Sequence, residues 1–215
     1  MPLLIFFLFL KRNKNFWVKV ILLYIVLSFI NDTLLLSMDS VKNEKLVYNV
    51  LSIYTIVEYT IFSLFIRSIL SNKLFKTLII IISAAFYLFA VLYFFLARDS
   101  KFDSMSASLE SILIVSYCIF YLFDQLNKPQ IIFIYQEPNF WFIVGFMVYL
   151  AGTLFLFIQA NNLDSELRKD FWKINLSANT IKNILFAIAF SRKKSENLFS
   201  HFENQYDDLI EHKST

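Results

Sequence analysis

Four ionisable side chains sit inside long apolar runs of this sequence: Asp32, Glu58, Glu110 and Lys182. Asn31, Asn175, Asn179 and Asn183 accompany them. Charged groups in such surroundings are costly. They pair with one another or face a water-filled space, and they often mark function. Carboxylates so placed can act as general acids or bases, and a carboxylate with an ammonium can form a buried pair. At about 100° per residue on a helix, Asn175, Asn179 and Lys182 fall within roughly 60° of one another. By the same projection Ser106, Glu110, Tyr117, Tyr121 and Asp124 share a face. Tyr48, Ser52, Thr55, Tyr59 and Ser63 form a polar strip with Glu58 at its edge. Gly145, Tyr149, Gly152 and Gln159 line up on a further segment, where two glycines on one face let a neighbouring helix come close.

The elements that carry these residues are seven apolar segments. Residues 3–10 are too few to cross about 30 Å of hydrocarbon, which takes roughly 20 residues. Their charges, Lys11, Arg12 and Lys14, follow the apolar stretch, whereas a signal peptide carries them before it. The other six cover residues 16–38, 46–67, 75–97, 106–126, 140–160 and 171–190. Each is long enough to cross as a helix, which satisfies its own backbone in lipid. The expectation is an all-α polytopic transmembrane bundle of six to seven spanning helices over residues 1–190. A short amphipathic cytoplasmic tail follows over residues 191–215, where Leu198, Phe199, Phe202, Tyr206, Leu209 and Ile210 recur at helical spacing. The fourth segment, uncharged from Thr77 to Ala97, is expected to be the most lipid-exposed.

Lys and Arg flanking the segments number twelve on one side and seven on the other, with Lys182 apart. The Arg192-Lys193-Lys194 cluster lies on the richer side, so the tail is expected in the cytoplasm. Measured from the opposite ends of their helices, Glu58 and Lys182 lie at similar depths of roughly 16–18 Å. The expected site is therefore a polar pocket open to the outside. It is lined by Asp32, Glu110, Tyr117, Asn175 and Asn179 and floored by a Glu58–Lys182 pair. The plainer reading of the same side chains is hydrogen bonding between helices.

Composition removes other classes. Of 215 residues 58% are hydrophobic and 17% charged, with 26 Phe, against about 45–50% apolar and 25% charged in soluble domains. Two Gly and three Pro leave no phosphate-cradling loop or dinucleotide fingerprint. The single Cys118 excludes disulfide frameworks and Cys-based zinc sites. His201 and His212 both lie in the tail, so no histidine metal site, haem ligand or Ser-His-Asp triad can be built within the bundle. No cofactor and no metal are implied. Basic residues at segment ends suit membrane topology and not nucleic acid, so no direct nucleic-acid binding is expected.

Several motifs carry a resemblance. They are Tyr54-Thr55-x-x-Glu58-Tyr59, Ser108-Leu109-Glu110-Ser111, Pro138-Asn139-Phe140-Trp141 leading to Gly145, Tyr149 and Gly152, and Asn179-x-x-Lys182-Asn183-Ile184-Leu185-Phe186-Ala187. Together, over about residues 48–190, the chain resembles a group of small seven-helix inner-membrane proteins of Bacteroidetes-type bacteria with no established activity. The resemblance implies a helical membrane fold and an inner-membrane location. It also implies an association with two-component signalling loci and, more weakly, with accessory proteins of type VI-B CRISPR defence loci.

Three functions compete. A non-catalytic sensor, regulatory or accessory module needs the bilayer, a protein partner and the single polar pocket, and it fits the short tail. An intramembrane lipid-acting enzyme would use Glu58, Glu110 or Asp32 as acid or base, but the carboxylates are scattered. A small transporter would be expected to show an inverted repeat or paired Gly/Pro-broken helices, and neither is visible. The first is the leading expectation, and the protein is expected not to be an enzyme.

Overall fold

A computed structural model describes residues 16–37, 44–96, 103–128, 134–159 and 165–192. The first apolar segment, residues 3–10, and the tail beyond Arg192 lie outside the described residues. Six α-helices follow in order: α1 (Phe16–Ser37), α2 (Glu44–Ile69), α3 (Lys73–Leu96), α4 (Ser104–Leu126), α5 (Pro138–Gln159) and α6 (Ser165–Ser191). A single 3-10 turn, Ile134–Gln136, precedes α5, and no strand occurs among the described residues. Helices of 22 to 27 residues are about 33–40 Å long at 1.5 Å per residue, enough to cross hydrocarbon.

The helices α1 to α5 are long and apolar enough to cross a membrane. The expectation of six to seven spanning segments thus meets five among the described residues. α6 is more polar, with Glu166, Arg168, Lys169, Asp170, Lys173 and Lys182 within it. It nonetheless runs antiparallel along α5. Phe142 meets Phe190 near one end, with ring centroids 5.2 Å apart, and Gly152 faces Ala178 toward the other. The two glycines differ in consequence. A β-carbon at Gly145 would lie 2.7 Å from the Phe186 ring, whereas one at Gly152 would meet Ala178 at an ordinary 3.5 Å. Gly145 is the position where helix approach depends on a missing side chain.

Polar caps fix the start of α3. The Asp124 carboxylate, at the end of α4, accepts the backbone N–H of Ser71 at 2.7 Å and of Asn72 at 3.1 Å. The Asn72 side chain in turn accepts the N–H of Leu74 at 2.8 Å, filling a donor that a helix start leaves open. The rest of α3 faces outward. Only Ile79, Phe86 and Ala90 are buried along it, while Leu74, Ile81, Leu88 and Leu96 are exposed. This matches the lipid-facing role expected for the fourth segment.

At one end of the bundle the core is aromatic. Phe62 and Phe65 of α2, Phe142 and Phe146 of α5, and Phe186 and Phe190 of α6 have no exposed surface. Phe65 stands edge-on to Phe142 and to Phe146, and Phe186 stands edge-on to both of these as well. Phe62 lies 4.1 Å from Phe146, centroid to centroid. Edge-to-face contacts of this kind add to the packing of large apolar rings. The result is a dry plug across α2, α5 and α6.

Candidate functional site

The opposite end of the bundle is polar because five of the six helices bring polar side chains to it. The last turns of α1 present Ser28, Asn31 and Asp32, and the middle of α2 presents Tyr54, Thr55 and Glu58. The start of α4 adds Asp103 and Glu110, α5 adds Tyr149, and α6 adds Asn175 and Asn179. Between them lies a cavity of about 50 Å3, room for about three to five waters. Asp32 is exposed, so the cavity reaches the surface there.

Below the cavity Glu58, Tyr24 and Lys182 form a buried layer. The Tyr24 hydroxyl donates to Glu58 Oε1 at 2.6 Å, and Lys182 Nζ donates to the Tyr24 hydroxyl. The two charges expected to touch are therefore joined through a phenol. The Lys182 ammonium also lies 4.0 Å above the Tyr149 ring and 4.7 Å from the Tyr24 ring, which adds cation–π attraction in a site with no exposed surface to speak of. Tyr54 stands beside Ser28, Tyr24 and Glu58. A desolvated carboxylate and ammonium are tolerable only when hydrogen-bonded and paired in this way.

Not every polar atom at this end is satisfied. Glu110 is 2% exposed and its Oε1 has no hydrogen-bond partner. Asn175 Oδ1 and Asp103 Oδ1 are likewise buried without one. Such groups are rare because each costs the desolvation of an unmade bond. Asp103 immediately precedes α4, and burial pushes its carboxyl above the usual carboxylate range, with the Ser106 and Ser52 hydroxyls pulling the other way. Among the described residues no three His, Cys, Asp or Glu groups converge closely enough to hold a metal ion.

Of the residues expected to form the site, Asp32, Glu58, Glu110, Asn175 and Asn179 line this cavity. Lys182 lies in the layer beneath it. Tyr117 does not reach it. Seven residues beyond Glu110 on α4, it sits about 10 Å further along the helix, and its hydroxyl bonds Tyr59 at 2.9 Å, which also bonds Ser83 at 2.8 Å. Its role there is to tie α2, α3 and α4 together. Tyr24, Tyr54 and Asp103 join the site without having been singled out. A signal for Tyr24 exists in the sequence: Tyr24, Ser28, Asn31 and Asp32 recur at helical spacing on an otherwise apolar helix.

The fold and this site define a multi-pass α-helical membrane protein with a polar cavity inside its bundle. No family model, curated protein or solved structure matches the chain.

Proposed function

We propose that the chain is a non-catalytic module of the bacterial inner membrane, a sensor or regulatory subunit. It admits a small solute to the cavity from the outer face and passes its occupancy to a protein partner on the cytoplasmic side. The observation that carries this reading is the order of the layers: the cavity reaches the surface at Asp32, and beneath it lie the buried Glu58–Tyr24–Lys182 layer and then the phenylalanine cluster. A through-path for transport would need that plug to part, whereas a receptor needs only the cavity. The Lys and Arg excess supports the orientation. α6 supplies the connection, since Asn175 and Asn179 face the cavity while Phe186 and Phe190 sit in the plug. The charged residues 191–215 continue from that second end. Glu58 and Lys182, both engaged by Tyr24, are occupied structurally, which favours a non-catalytic role.

A photo-crosslinking amino acid at residue 199 tests the reading in living cells. A discrete adduct with one partner is expected, and its yield should change when Ala107→Trp fills the cavity. No adduct, or a yield indifferent to Ala107→Trp, overturns the proposal. The orientation has its own check. An impermeant maleimide should label Asp32→Cys on intact cells and Asn127→Cys only after permeabilisation.

A further inference from the structure

Three atoms of the cavity-lining residues are buried without a partner, Glu110 Oε1, Asn175 Oδ1 and Asp103 Oδ1, and each belongs to a carboxyl or amide group whose oxygen accepts hydrogen bonds. Carboxylate and amide oxygens accept hydrogen bonds. Among the described residues the lining includes four carboxyl groups, those of Asp32, Glu58, Asp103 and Glu110, and no Lys, Arg or His. The nearest cation of the site, Lys182, is turned to Tyr24 in the layer below. What is missing from the cavity is therefore a positively charged donor.

Resting on the cavity reading above, we infer that the solute is a small primary ammonium ion. Three observations select it. The orphaned acceptors call for N–H donors, and an ammonium brings three. The absence, among the described residues, of three converging metal-ligating groups argues against a divalent ion, which takes a shell of six or more oxygens. The volume of about 50 Å3 suits a group that replaces a few waters. The ammonium hydrogen-bonds Glu110 Oε1 and Asn175 Oδ1, and its charge offsets the acidic lining. Glu110 is the decisive residue. Glu110 lines the cavity with almost no exposed surface and one oxygen without a partner, and charge buried in a bundle is otherwise paired.

The test is the melting temperature of the full chain in lipid nanodiscs at constant ionic strength. Methylammonium chloride should raise it saturably. Tetramethylammonium chloride, which has the charge but no N–H, and potassium chloride should not. Glu110→Gln should weaken the methylammonium response at least tenfold, and Asn175→Ala should weaken it severalfold if Glu110→Gln fails to fold. Equal responses to all three salts, no response to methylammonium, or a response untouched by these variants overturns the inference. The two proposals fail separately. A crosslink at residue 199 that responds to Ala107→Trp, together with no methylammonium binding, removes only the ligand class. Methylammonium binding with an indifferent crosslink removes only the signalling role.

Discussion

The end of the bundle around Asp32 and Glu110 and the end around Phe142 and Phe190 are built largely from the same helices, yet one encloses a polar cavity and the other packs phenyl rings with no exposed surface. At the plug, each phenyl ring fills the space left by its neighbours and has no polar atom to satisfy. At the cavity, short side chains such as Ser28, Thr55 and Asn175 leave room, and their polar atoms outnumber the bonds available between them. The two ends differ in side-chain volume and in hydrogen-bond supply.

The sharpest way to break this contrast is to open the plug. Phe186→Ala should destabilise the protein by about 3 kcal/mol, the low end of the range for such truncations, because in lipid mainly the packing share is lost. Unfolding in mixed micelles measures it, and a loss no greater than that of a lipid-facing control such as Leu88→Ala would show that the plug is not a packed core. Next comes the layer between the two ends. Tyr24→Phe keeps the ring and deletes the hydroxyl between Glu58 and Lys182, leaving both with an unmade bond, at a cost of about 1–3 kcal/mol. A neutral Tyr24→Phe would mean that the charges pair directly.

The glycines divide the two ends more finely. Gly145→Ala drives a methyl into the Phe186 ring and should cost about 1–3 kcal/mol, while Gly152→Ala should stay within about 0.5 kcal/mol. Equal effects would remove the distinction between a tight seam and a loose one. The smallest effect belongs to Asp103. Its carboxyl is raised by burial in the folded state, so folding favours the protonated form. The contribution is present below the unfolded-state value and fades as pH rises through the folded one. Asp103→Asn should therefore flatten part of a decline in melting temperature between pH 4 and neutrality, and an unchanged pH profile would count against it.

Much of this was legible in the residues. Period and length place the helices, and the polar faces of α2, α4 and α6 project correctly because a 3.6-residue repeat fixes azimuth. Depth along each helix brought Glu110, Asn175, Asn179 and Glu58 to one cavity. What azimuth and depth do not carry is which side chain stands between two others. Tyr24 intervenes between Glu58 and Lys182 because α1 packs on α2 at that level, which is a tertiary fact. Tyr117 shares the face of Glu110 but lies two turns away from it, so a common face did not make a common site.

The layer at the centre of the molecule also has a history in time. Lys182 finds Tyr24 across 158 residues of sequence. At about 5–20 residues per second, a ribosome needs roughly 8–30 s to make that stretch. Tyr24 and Glu58, only 34 residues apart, can meet early, as the first helices enter the bilayer. The ammonium arrives later, on α6, so the charge balance of this layer is completed only once that helix has been made. A chain arrested before α6 holds the Glu58 carboxylate without its cation.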